Sequence, residues 1–246
     1  MGVAKPELTE LDDGLWITTA PIGIVGMPLR ATMTILRLDA GELLLHSPVA
    51  LTPARKQAVE ALGAVTHLYA PNLFHHLRLG EWATAFPKAR VHGPAGLGSK
   101  RKDLQVNRVH GELEPAFEGL LDEVVVDGFR LAEGVLFHRA TGTLVVADLV
   151  HNIGRPPHWW TKLYAGAMGF YGEVALSRVI RWTAFSDRAA ARRSLDTILE
   201  LPFERIVVGH GAPVVRSPRE ALADAYRWLP PGRAALSGAA GHADQD

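Results

Sequence analysis

Apolar residues in the first fifty positions fall into strand-length blocks. LWITTAPI and ATMTILRL are dense in β-branched and apolar side chains, and the second passes through Asp39-Ala40-Gly41, a hairpin turn, into GELLLHSPVAL. The period then changes. Thr52 followed by Pro53 is an N-cap with proline at the first helical position, and Gly63 closes the segment. Val59 and Leu62, with alanines at 54, 58 and 61, give this helix one apolar face. VTHLYA (65–70) predicts the next strand, GEWATAFP a short helix stopped by Pro87, and ARVHGP another strand. The β reading returns in DEVVVDG, GVLFHR and TLVVADL, the last two joined by a turn at Ala140-Thr141-Gly142. The aromatic-rich stretch 155–185 reads as helix and loop. Ser186 or Asp187 caps a helix through RAAARRSLDTILE, and RIVVGH (205–210) is the last strand. From Pro230 the chain is small and polar, which predicts a flexible tail over 231–246.

Hairpins interleaved with αβ units predict an α/β chain of two mixed sheets packed together, with helices outside. No interior linker or repeat divides it, so we expect a single domain over 1–246 with its core at about 14–228.

Composition narrows the function classes. Lysine plus arginine number 26, as do aspartate plus glutamate, so no basic surplus points to a nucleic-acid partner. The local basic run SKRKD (99–103) reads as a solvated loop. The absence of cysteine excludes disulfides, thiolate metal sites and a cysteine nucleophile. The opening MGVAKPELTELDDG has no apolar signal region, and no apolar run reaches the ~20 residues of a membrane span, so a cytoplasmic protein with no membrane partner is expected. G-x-S-x-G, a P-loop and G-x-G-x-x-G are missing; GPAGLGSK (93–100) lacks phosphate-loop spacing.

The remaining chemistry sits at strand ends, where side chains from several strands converge. VTHLYAPNLF leads into His75 and His76, TLVVA into Asp148, and RIVVG into His210. Imidazole and carboxylate after four apolar residues are costly to bury unless paired or ligated, and together they suit zinc, iron or manganese. Asn72 adds an amide that can hydrogen-bond or bind weakly. His151, close after Asp148, is a candidate to orient a ligand. His138, beside a turn, reads as surface, and His67 as a packed strand position; His46, His92 and His110 belong to no motif. The run RPPHWWTKLYAGAMGFYG (155–172) reads as a packing segment first and a pocket wall second.

In this order, the GELLL hairpin, the HH segment, VVADL and VVGHG resemble the metallo-β-lactamase superfamily, and within it a divergent bacterial group with an APN..HH segment. The resemblance covers roughly residues 14–228 and implies an αββα four-layer sandwich. It departs from that family's HxHxDH motif, since Pro71 and Leu73 stand where its first two histidines belong. VVDGFR (125–130) likewise lacks the histidine of a later loop. One metal position is therefore dismantled. For the other, the resemblance implies His75, His76, Asp148 and His210 around one divalent ion, zinc before iron or manganese. The implied activity is mononuclear hydrolysis of an ester, amide or phosphoester bond in a small-molecule substrate by a metal-bound water, with Asp148 and His151 as catalytic candidates. Four protein ligands would close a tetrahedral ion, which is the signature of a structural site. The alternative is a degenerate member holding no metal and acting as a binding or regulatory module. A homo-oligomer is compatible with either.

Overall fold

Alternation within single strands sets the layers. In the segment ELLLH, Leu43 and Leu45 pack with Val59, Leu79 and Trp82 of flanking helices, while Leu44 joins Leu15, Leu36, Leu136 and Val145. In GVLFH, Val135 and Phe137 pack with Leu195 and Ile198, and Leu136 takes the opposite side. Each sheet therefore carries helices on one face and the other sheet on its second face, the αββα arrangement. Each buried leucine contributes ~1.5–3 kcal/mol to holding these layers together.

The chain's structure, a computed structural model, describes residues 7–24, 26–156 and 158–230; the tail at 231–246 lies outside them. The first sheet runs in chain order: β1 (Thr9–Asp12), β2 (Leu15–Ile24), β3 (Met27–Arg37), β4 (Glu42–His46), β5 (Ala64–Tyr69), β6 (Arg90–Gly93) and β7 (Arg108–Val109). β1 to β4 pair antiparallel and β4 to β7 parallel. The second comprises β8 (Leu121–Val125), β9 (Gly134–His138), β10 (Thr143–Val145) and β11 (Arg205–Val207), ordered β11-β10-β9-β8 with only β10 and β11 parallel. The helices are α1 (Pro53–Glu60), α2 (Leu79–Ala85), α3 (Leu97–Lys100), α4 (Trp159–Met168), α5 (Arg178–Thr183), α6 (Arg188–Glu200) and α7 (Pro218–Ala225). Among the described residues no helix is long and apolar enough to cross a membrane.

The caps act as their residue types require. Thr52 Oγ1 accepts from the Arg55 N–H at 3.1 Å, starting α1. Asp187, the second of the two predicted candidates, caps α6 by accepting from the Ala190 N–H at 2.9 Å. The aromatic run packs: α4 and the following turn bury Ala165, Phe170 and Ala175 against Met27 of β3. His138 departs from its surface expectation. It is buried, because the turn folds back and Thr141 Oγ1 meets its Nδ1 at 2.9 Å.

Between the sheets, the β4–β7 side of the interface is polar. His46 and His110 stack on Tyr69 with ring centroids 5.5 and 4.5 Å away, and His67 Nδ1 meets His92 Nε2 at 2.8 Å. The Tyr69 hydroxyl donates to Glu123 at 2.7 Å, and Glu123 is ion-paired with Arg108. Burial pushes the imidazoles of His46, His92 and His110 down to about 3, 2 and 4. In the unfolded chain they take up protons near the ordinary value of ~6.5, so below that pH the unfolded state binds more protons. Stability is therefore complete above ~6.5 and declines as the pH falls toward these lowered values. The melting temperature should drop steadily from pH 7 to pH 4 in calorimetry; an unchanged value across that interval would contradict the neutral histidine layer.

Candidate metal centre

Asn72, just beyond β5, sets the conformation of the HH segment. Its Oδ1 accepts from the Phe74 and His75 N–H groups at 2.8 and 2.9 Å, an Asx turn that starts the bend. The bend sends the two histidines in different directions. His75 turns toward Asp148, placing Nε2 3.4 Å from Oδ2. His76 instead lies against the basic run 99–103, its Nδ1 3.2 Å from Arg101 Nη1, while its carbonyl accepts from the same guanidinium at 2.6 Å. That run is thus a brace as well as a solvated segment, since Lys100 also donates to the Leu73 carbonyl at 2.6 Å.

His210 completes the cluster from the end of β11. Its Nε2 lies 3.8 Å from Asp148 Oδ1, and its Nδ1 is 3.0 Å from the carbonyl of Arg30 on β3. A carbonyl only accepts, so Nδ1 carries the proton and Nε2 keeps its lone pair toward Asp148. His75 has the same layout, with Nδ1 2.7 Å from Ser47 Oγ and Nε2 inward. One donor atom from each of His75, Asp148 and His210 lies within 4.8 Å of the others. His76 is outside this group, although it lines the same groove. Gly209 is required by close approach: a Cβ there would stand 2.9 Å from His75 Cε1 and 2.7 Å from the Ala147 carbonyl.

Sequence reasoning missed Glu133. Its carboxylate is wholly buried and accepts from the N–H groups of Ala147, Asp148 and Leu149 at 2.8, 2.8 and 3.1 Å. The Asn72 amide bridges the two acids, donating to Glu133 at 3.0 Å and to Asp148 at 2.9 Å. Asn72 therefore serves as hydrogen-bond donor and turn former, with its oxygen already engaged. LAEGVLF offers no motif for Glu133; a buried acid before an apolar strand was the only signal. His151 stands behind His210 with ring centroids 5.6 Å apart, its Nδ1 without a hydrogen-bond partner.

The charges follow from this packing. Burial drives Glu133 up, and the neighbouring Asp148 adds to the rise, to about 7. Burial alone would raise Asp148 as well, but the His75 imidazole, joined by His151 and His210, outweighs it and holds the carboxyl well below its usual range. Burial lowers His75, and Asp148 more than reverses that, so its net direction is up. Burial pushes His210 down, with His75 adding to the fall, and brings His151 to about 4.

Two mixed sheets between helices, with the cluster at their strand ends, define a metallo-β-lactamase fold. Solved structures agree. DIM-1 metallo-β-lactamase exposed to ceftazidime aligns over 94% of this chain and 100% of its own, at 11% identity and TM-score 0.61. VMB-1 aligns over 97% and 100%, at 12% identity and TM-score 0.63. The metallo-β-lactamase from Pontibacter korlensis covers 89% and 97%, at 12% identity and TM-score 0.60. At such identities the likeness is one of fold. No family model matches the sequence, and no curated protein matches it.

Replacing Glu133 by alanine leaves three buried N–H groups and an amide without their acceptor. Each such group costs about 1–3 kcal/mol, so the variant should lose about 3 kcal/mol or more in urea unfolding. Glu133→Gln, which keeps one acceptor oxygen, should lose less. An alanine variant within ~0.5 kcal/mol of the parent would show that the carboxylate is not a structural tie.

Proposed function

We propose that the chain is a metal-dependent hydrolase with a single divalent ion held by His75, Asp148 and His210. The observation that carries this reading is the donor set: two imidazoles with their second nitrogens engaged on protein oxygens, and a carboxylate between them, at the floor of an open groove. A divalent ion there would supply Lewis acidity toward a substrate oxygen and toward water. Three protein donors leave a coordination place open, unlike the closed four-ligand set that the sequence resemblance implied. Zinc is the natural first choice for two imidazoles and a carboxylate, with iron and manganese behind it.

The chain's own groups complete the site. Asp148 is fixed by the Asn72 amide and by the loop that Glu133 holds, so its oxygens point at the cluster without further reorganisation. His151 does not line the groove, and we assign it a positioning role behind His210. The groove, about 610 Å³ in volume, is walled by Pro21, Ile22, Val49, Leu73, Phe74 and Leu77. Those walls suit a small molecule with an apolar body whose ester, amide or phosphoester bond reaches the floor. Lys100 and Arg78 at the same groove offer positive charge to an anionic substituent.

A second reading has its own observation. His75 and Asp148 form a buried ion pair at 3.4 Å, which satisfies both groups without an ion, as a binding or regulatory module would require. Metal content separates the two. His75→Ala/His210→Ala should bind one divalent ion fewer per chain than the parent by elemental analysis, and His76→Ala should bind the same number. Affinity at this site should rise between pH 5 and pH 8, because the ion displaces the proton that Asp148 stabilises on His75. Equal metal content in the parent and the double variant would overturn the hydrolase reading and leave the module.

A further inference from the structure

A second donor cluster lies between the sheets, away from the groove. His67 on β5, His92 on β6 and Glu114 in the loop after β7 are all buried, and one donor atom from each falls within 4.8 Å of the others. We propose that these three residues form a structural divalent-cation site, with zinc as its best-suited occupant. This site is independent of the groove and of any hydrolytic activity.

Several observations on the same residues converge. His92 offers a nitrogen to each neighbour: Nε2 is 2.8 Å from His67 Nδ1, and Nδ1 is 3.9 Å from Glu114 Oε2. The second distance is too long for a hydrogen bond, and neither His92 Nδ1 nor Glu114 Oε2 has a hydrogen-bond partner. A buried imidazole nitrogen and a buried carboxylate oxygen left in this way each cost about 1–3 kcal/mol, so they call for an occupant between them. Arg90 stands 3.2 Å from Glu114 as an ion pair without hydrogen-bond geometry, and its side chain is half exposed, free to turn to solvent.

The donor types fit. Two imidazoles and a carboxylate suit zinc, and donors held ~2.0–2.1 Å from a tetrahedral ion lie ~3.3 Å apart. One imidazole gives an ion a single nitrogen, so His92 takes part through Nδ1, beside Glu114, and the His67 ring turns off the 2.8 Å contact; one donor atom of each residue already lies within 4.8 Å of the others. A second Glu114 oxygen or a water can take the fourth place. Ligation through Nδ1 gives up the His67–His92 hydrogen bond and leaves the ring proton of His92 on Nε2. Bound there, the cation ties β5 and β6 to the loop that carries Glu114 and Phe117. Phe117 packs on both rings, with centroids 5.7 and 5.3 Å away. Because all three residues are buried, refolding in the presence of the ion is the direct way to fill the site.

The full chain carrying His75→Ala/His210→Ala should be unfolded and refolded with zinc, dialysed, and assayed by elemental analysis. One zinc per chain is expected to remain, and adding His92→Gln should remove it while the far-ultraviolet circular dichroism stays that of the folded parent. No zinc in a folded double variant would overturn the proposal. If a variant fails to fold, anomalous scattering at the zinc edge from crystals of the unsubstituted protein, refolded in zinc, decides. A peak among His67, His92 and Glu114 supports the site. A peak confined to His75, Asp148 and His210, or no peak, refutes it. Failure of the hydrolase reading alone would leave the interior peak in place.

Discussion

The carboxylate of Glu133, wholly buried, ties the ends of the two sheets together. Its Oε1 accepts from the Ala147 and Leu149 N–H groups that follow β10, and its Oε2 from the Asp148 N–H and from the amide of Asn72, just beyond β5. Loop N–H groups at that depth have no water to turn to, so without an internal acceptor the loop could not be buried there at all. The seam continues on both sides. Gly134 N–H donates to the Pro71 carbonyl at 2.8 Å, and Leu73 N–H to the Leu131 carbonyl at 3.1 Å. On the far side of the cluster, Thr32 N–H donates to Gly209 at 2.9 Å, and His210 reaches the Arg30 carbonyl. His75 belongs to one sheet and Asp148 and His210 to the other. Their convergence within a few ångströms is therefore a property of this seam and not of any one strand.

Much of the fold was legible because its signals are local. Thr52-Pro53, the cap placed at Ser186 or Asp187, and the apolar blocks GELLL and GVLFH each act over a few residues, and the structure has a helix capped by Thr52, one capped by Asp187, and strands at both blocks. The cluster was legible for a related reason: an ionisable residue after an apolar run marks a strand end, whichever sheet it belongs to. Which of two adjacent histidines turns inward was not legible. That depends on the Asx turn at Asn72 and on Arg101, a partner from another part of the chain. Glu133 was hidden for the same reason, since its partners come from three separate segments. The buried state of His46, His92, His110 and His138 also escaped, because an imidazole at the end of a strand or beside a turn is read as polar until its packing partners from other strands are known.

The two histidine-rich regions solve the burial of ionisable groups in different ways. Between the sheets, the imidazoles are kept neutral and stacked, and Glu123 is matched by Arg108. At the groove, two carboxylates come close together, and burial together with Asp148 pushes Glu133 toward neutrality. Asp148 keeps its charge against burial chiefly through His75, with His151 and His210 adding to the effect. The groove floor therefore needs one positive charge that its neighbours do not provide permanently: Arg101 faces His76, and the Arg30 guanidinium is turned back to Thr19. A proton on His75 meets that need at low pH. A divalent cation held as proposed would meet it more completely, by drawing on Asp148 and the two imidazoles together. The same seam that makes two acids share one buried corner thus concentrates negative charge there, and that charge is the ground on which a cation is proposed.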